Sequence, residues 1–306
     1  MATTDVAIGV IFLAQTVIGI LGNSYLLHHY LLFLFRGYRL KPTDYILQHL
    51  TTANFLSLLC KGVPQTMAAF GMKDFLQDIG CKLVFYVHRV GRAVSISSTC
   101  FLSVFQAIAI SPMGSTWAKY KFQAPRYIGS SICLAWILSL LANIAYPVHM
   151  NGKFSNVNIT HLKEFEYCYA VRHDKVSDIL YAILVSSPDV FCVGMMLCSS
   201  SFMVCILYRH KQRIKHIHRS NFSLRSSPES RATKTILLLV STFVCFYTVS
   251  CILHIHFALV YHPTQLIVNV AAIVSGCFPT LSPFLLMSYD SCVFSLCFQC
   301  ARNRKY

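Results

Sequence analysis

The chain has 306 residues, 55% of them hydrophobic and only 12% charged, with a mean hydropathy of +0.56. Soluble domains carry about 25% charged residues, so the composition argues for a membrane protein. The net charge of +15 would suit a nucleic-acid binder, but the positive residues lie in loops between apolar spans, which excludes that reading.

Crossing a bilayer takes about 20 mostly apolar residues in a helix. Seven segments qualify: about 7–34, 45–70, 81–111, 127–148, 178–208, 235–260 and 264–288. Lipid offers the backbone no hydrogen-bond partner, so each is a helix. The expected fold is all-α, a seven-transmembrane bundle in which residues 1–306 form a single membrane domain. Lys/Arg sets its orientation. Arg36, Arg39 and Lys41 follow span 1, Lys119, Lys121 and Arg126 follow span 3, eight follow span 5, and Arg302, Arg304 and Lys305 lie in the tail. The residues before span 1 carry none. The N-terminus is therefore expected outside and the C-terminus inside, in a multi-pass plasma-membrane protein. The N-terminus lacks a basic n-region, so span 1 reads as an uncleaved anchor.

In span 1, Gly19 and Gly22 offer a close-packing face, and Asn23 needs a polar partner, with Asn54 of span 2 the leading candidate. Prolines fall in span 2 (Pro64), span 4 (Pro147), span 5 (Pro188) and span 7 (Pro279, Pro283). Such positions need neighbours to satisfy the freed carbonyls. Fourteen cysteines are present. Most lie in apolar runs, among them Cys100, Cys133, Cys192, Cys198, Cys245 and Cys251, where Cys acts as a small hydrophobe. Cys81, opening span 3, and Cys168, in the long outer loop 149–177, instead face the oxidising side. That loop also holds the glycosylation sequon Asn158-Ile-Thr160, whereas Asn221-Phe-Ser223 faces the cytosol. Cys297 and Cys300 follow span 7 beside Arg302 and Arg304, a setting for palmitoylation.

Ionisable groups within the bilayer face the bundle interior. They are Lys61 in span 2, His88, Arg89 and Arg92 in span 3, and Asp189 in span 5. His88 and Arg92 are spaced i, i+4 and share a face, with Arg89 beside it. They sit seven to eleven residues below Cys81, roughly 10–17 Å deep. Asp189 is expected to pair with Arg92. Lys61 and Arg89 then make the cavity favour an anionic ligand, which Arg can clamp with two hydrogen bonds.

Between spans 5 and 6 a basic run, a Ser/Pro turn and a long apolar segment follow one another. RHKQR, HIHR, SSPE and RATKTILLLVSTFVCFY occur in close succession, and PTDYILQHL (42–50), HRVGRAVSISSTCFLSVFQAIAISP (88–112) and CFPTLSPFLLMS (277–288) recur elsewhere. Together these resemble the vomeronasal type-1 pheromone receptors, from about Gly19 to Asp290. The resemblance implies a rhodopsin-like receptor with a Cys81–Cys168 bridge and a ligand cavity at the depth of His88. It also implies a small-molecule pheromone-like ligand and a heterotrimeric G protein of the inhibitory class. The G protein would enter a cytoplasmic cleft between spans 3, 5 and 6, flanked by Arg209, Lys211, Arg213, Lys215, Arg231 and Lys234. Phe105-Gln106-Ala107 stands where rhodopsin-like receptors have Asp-Arg-Tyr. Span 6 has no proline from Arg231 to His262, and Ser282-Pro283-Phe284-Leu285-Leu286 replaces Asn-Pro-x-x-Tyr.

Other classes fit less well. An opsin needs a Schiff-base lysine in span 7, and 264–288 contains none. His254, His256 and His262 could suggest a metallohydrolase, but His254 and His256 point to different helix faces and no acid lies near them. No metal, cofactor or enzymatic activity is expected. A multi-span transporter is the alternative, and the absence of internal repeats disfavours it.

Overall fold

A spanning segment must satisfy its own backbone, and the apolar stretches accordingly fold as helices. The structure, a computed structural model, describes residues 3–37, 41–72, 75–112, 118–144, 150–151, 162–165, 168–171, 175–217, 228–259 and 264–303. Among these run seven helices: α1 (Thr3–Phe35), α2 (Pro42–Ala69), α3 (Asp78–Ile110), α4 (Ala118–Ala142), α5 (Lys175–Ile217), α6 (Pro228–Leu259) and α7 (Gln265–Asn303). Three short strands, β1 (Met150–Asn151), β2 (Leu162–Phe165) and β3 (Cys168–Val171), lie between α4 and α5. The architecture is a seven-transmembrane bundle, N-terminus outside and C-terminus inside.

Local chemistry sets several ends. Pro42 opens α2, its missing N–H falling where a helix has no intrahelical acceptor to offer, and Asp44 sits in the first turn against the positive end of the dipole. Gly71 closes the same helix at φ 89°, a left-handed conformation that costs glycine little.

Several boundaries depart from the expected ones. Span 4 is Ala118–Ala142 rather than 127–148, so Lys119, Lys121 and Arg126 are helical. It ends short of Pro147, which lies outside the described residues. α5 has 43 residues, about 65 Å at 1.5 Å per residue, roughly twice the hydrocarbon thickness. Arg209, Lys211, Arg213 and Lys215 therefore ride on a helical extension, not in a loop, and Arg231 and Lys234 lie on α6. α7 runs past the expected 288 to Asn303, taking in Cys297 and Cys300. Hydropathy marks where lipid ends. A helix continues into water as long as its residues tolerate it.

The outer loop 149–177, expected as plain loop, contains an antiparallel sheet in the order β1-β3-β2, with Lys163 opposite Ala170 and Met150 opposite Ala170 on the other edge. α2 also departs from expectation. Among the described residues six helices are long and apolar enough to cross a membrane, and α2 is not one of them. Its Thr51, Asn54, Ser57, Gln65 and Thr66 are buried, so its polar side chains face other helices instead of lipid.

α3 is the hub. It touches α2, α4, α5, α6 and β1, and 56% of its most apolar window is buried, against 17% for α4 and for α5. α2 and α3 approach closely at Gly91, where a Cβ would sit 2.9 Å from the Ala53 carbonyl oxygen. The apolar core gathers around this axis, with Leu26, Ile46, Leu50, Ile96, Leu102, Met196, Leu239 and Phe278 among its members.

Buried polar groups stitch the helices together. Pro283 has no N–H for the carbonyl of Pro279 one turn earlier. Asn23 Nδ2 of α1 donates to that oxygen at 3.0 Å and to Gly19 O at 2.7 Å. The expected Asn23–Asn54 pairing is thus replaced, because the proline-freed carbonyl claims Asn23. Ser187 likewise donates to Leu184 O, the carbonyl freed by Pro188, at 3.0 Å. Asn54 binds elsewhere: its Nδ2 donates to Ser282 Oγ of α7 at 2.8 Å, and its Oδ1 accepts from Ser95 Oγ of α3 at 2.7 Å. Trp136 Nε1 of α4 donates to His49 Nδ1 of α2 at 3.2 Å.

An interhelical hydrogen bond in a membrane is worth about 0.6 kcal/mol on average and up to about 1.7. Asn54→Leu, which removes two of them while keeping the branched shape, is expected to lower unfolding free energy by about 1–3 kcal/mol. In denaturant titrations in mixed micelles, the Asn54→Leu and Ser95→Ala cycle should be non-additive. Simple addition of the two losses would show that the residues do not act together.

Candidate functional site

α3 carries its ionisable residues into the outer half of the bundle, and the structure divides them between two sides. His88 turns to α2, its Nδ1 2.9 Å from Ser57 Oγ and 3.4 Å from Ser57 O. Lys61, four residues after Ser57 on α2, donates to Ser275 Oγ of α7 at 2.5 Å, and Ser275 passes a bond to Ala272 O at 2.7 Å. Between these groups lies a cavity of about 20 Å³ lined by Phe12, Gln15, Ser57, Lys61, His88 and Ser275 among others. That volume holds about one water. Gln15 closes its α1 side by donating to Ile273 O at 2.8 Å.

Arg92 goes the other way. Its guanidinium carbon lies 5.4 Å from the centroid of the Tyr247 ring on α6. The i, i+4 spacing predicted one shared face for His88 and Arg92. A four-residue step, however, turns a helix by about 40° beyond one full turn, and the long Arg stem extends the divergence. Asp189 of α5 lies within charge range of Tyr247, Arg92 and Arg89. His88 in turn lies within charge range of Lys61, Arg92 and Arg89. The two sides therefore form one electrostatic neighbourhood with α3 between them. Tyr247 escaped the sequence reading because a tyrosine in an apolar run carries no formal charge.

Above this region Cys81 and Cys168 are joined, with Cα atoms 6.0 Å apart. Both are fully buried, packed with Ala68, Phe75, Leu76, Val84 and Phe85. The bond fastens β3 to the outer end of α3. The sequons at Asn158 and Asn221 lie outside the described residues, as does His262.

At the cytoplasmic end, Gln106 Nε2 of α3 donates to Thr233 Oγ1 of α6 at 3.1 Å, both side chains buried. Gln106 is the residue that stands in place of the usual arginine, so the contact between these helices is neutral. Arg209 of α5 and Lys234 of α6 are exposed. The side chains of Lys211, Arg213, Lys215, Arg231, His254, His256, Cys297 and Cys300 lie outside the described residues. Among the described residues no three His, Cys, Asp or Glu converge as metal ligands.

Known proteins place this arrangement. Residues 6–299 match the family model of the vomeronasal organ pheromone receptor family. Vomeronasal type-1 receptor 4 of Homo sapiens is 55% identical over 298 residues, covering 97% of this chain and 99% of that protein. Vomeronasal type-1 receptor 2 of Homo sapiens is 49% identical over 295 residues, 96% of this chain and 75% of that protein. Olfactory receptor class A-like protein 1 of Danio rerio is 34% identical over 281 residues, 92% of this chain and 88% of that protein. The chain belongs to the vomeronasal organ pheromone receptor family and is a multi-pass plasma-membrane chemosensory receptor that couples ligand binding to a heterotrimeric G protein.

Proposed function

We propose that this receptor takes a small anionic or strongly hydrogen-bond-accepting ligand, such as a sulfated or carboxylated steroid-like compound, in the outer half of the bundle. Lys61, His88, Arg89, Arg92 and Asp189 contact or orient it. The observation that supports the reading is the gathering of cations around His88: Lys61, Arg89 and Arg92 lie within its electrostatic range, and Asp189 lies within range of both arginines. In a low-dielectric cavity such a gathering of cations favours an anion, and a guanidinium can hold a sulfate or carboxylate through two hydrogen bonds. The cavity between Lys61 and His88 is too small for a whole ligand, so it serves as a floor where one polar group or its water can lodge.

The whole chain, 1–306, acts in this reading as one domain. Ligand capture shifts populations toward a state that admits a G protein of the inhibitory class. Arg209, Lys211, Arg213, Lys215, Arg231 and Lys234 flank its entry. Asn158 carries glycan on the outer side, and Cys297 and Cys300 anchor the C-terminal end of α7 to the inner leaflet by palmitoylation.

A paired screen of a steroid sulfate and its unsulfated parent tests the charge reading, with calcium release through a promiscuous G protein as the signal. Wild type should respond to the sulfate at concentrations at least about tenfold lower, corresponding to about 1.4 kcal/mol. Arg89→Gln and Lys61→Gln should each erode that preference. Equal potency of parent and sulfate on wild type, or undiminished preference in both variants, would contradict it. Sidedness is tested by glycosidase treatment: Asn158→Gln should abolish the gel shift and Asn221→Gln should leave it. The opposite result would invert the topology.

A further inference from the structure

Arg92 on α3, Asp189 on α5 and Tyr247 on α6 bring three helices to one point. The Tyr247 ring takes the Arg92 guanidinium on its face at 5.4 Å, within the range of cation–π attraction. Asp189 of α5 lies within charge range of both Arg92 and the ring's hydroxyl. Behind it the ring stacks on Phe243, centroids 5.7 Å apart at 15°, and Phe243 meets Phe278 of α7 edge-on at 4.7 Å and 87°. One side chain thus holds a base from α3 on its face within charge range of an acid from α5. Its aromatic neighbours carry the contact on to α7.

We infer that Tyr247 is the positioning residue of the ligand site: it orients Arg92 and Asp189 and ties the placement of α6 to the charge that a ligand presents. This rests on the reading that the ligand brings an anion to this half of the bundle. An anion that engages Arg92 competes with the Tyr247 face and with Asp189 for the same guanidinium. As that guanidinium moves, Tyr247 loses one of its two charged partners, and the preferred angle of α6 changes with it. A neutral ligand leaves the cluster intact. Tyr247 needs no contact with the ligand to act in this way.

The test uses the full-length receptor in cell membranes with a co-expressed G protein and no ligand. Basal guanine-nucleotide exchange is normalised to surface receptor. Tyr247→Phe keeps the ring and removes the hydroxyl, and Asp189→Asn keeps the shape and removes the charge. Each should change basal exchange by about fivefold or more, the lower end of a typical allosteric coupling, and the double variant should match either single. Tyr247→Phe with wild-type exchange, or a double variant equal to the product of the singles, would overturn the inference. Where a variant reaches the surface poorly, the same cycle is read as melting-temperature shifts of the solubilised receptor, expected at roughly 2–4 °C and non-additive. Additive shifts would overturn it. The cycle contains no ligand, so it can succeed while the sulfate screen fails, and the reverse.

Discussion

Asn54 holds α2, α3 and α7 together with two hydrogen bonds, one donated to Ser282 and one accepted from Ser95. The rest of the bundle depends on this kind of contact. Lipid provides no hydrophobic drive between helices, because its tails are as apolar as leucine. What selects one arrangement is the requirement that buried polar groups find protein partners. All three residues are buried, so the node has no water to fall back on. The same requirement explains why α2, too polar along its length to face lipid all round, is packed between its neighbours. It also explains why Asn23 is drawn to the carbonyl that Pro283 leaves without a helical donor.

This stitching has a direct consequence for ligand binding. With α2 fixed against α3 at Gly91, Ser57 and Lys61 are held opposite His88, and the charged residues of α3 part around its axis. One group faces the α1, α2 and α7 side; the other faces α5 and α6. The Cys81–Cys168 bond ties the outer sheet to the same helix. The fixed part of the receptor is therefore α1 to α3 with α7. The parts joined to it by fewer polar contacts among the described residues are α5 and α6.

Much of this was legible in the sequence. The apolar runs pick out every span but the more polar α2, and the Lys/Arg asymmetry gives their direction, since both follow from the free energy of charge in lipid. The ionisable residues stood out for the same reason. Helix ends were less legible. The basic turns of α5 and the first turns of α4 are polar, and hydropathy cannot distinguish a helix in water from a loop. Partner choice was the least legible. Asn23 and Asn54 look like natural partners, but a proline on α7, far away in the chain, decides otherwise. Tyr247 shows the same limit, because its importance lies in what surrounds it and not in its own charge.

At the cytoplasmic end, the arginine familiar from other rhodopsin-like receptors is absent and Gln106 meets Thr233 instead. A neutral bond between buried side chains is worth only about 0.6 kcal/mol on average in membranes, so the Gln106–Thr233 contact by itself is weak. In the proposed mechanism, signalling separates α6 from the body built on α3 at this end and opens a cleft between them. The most direct measurement is the distance between genetically encoded spin labels at Lys119 on α4 and Lys234 on α6, both exposed. It is taken with the receptor alone and with nucleotide-free G protein bound. A population at clearly longer distance is expected when the G protein is present, and it should disappear on adding guanine nucleotide. A distribution unchanged by G protein would contradict it.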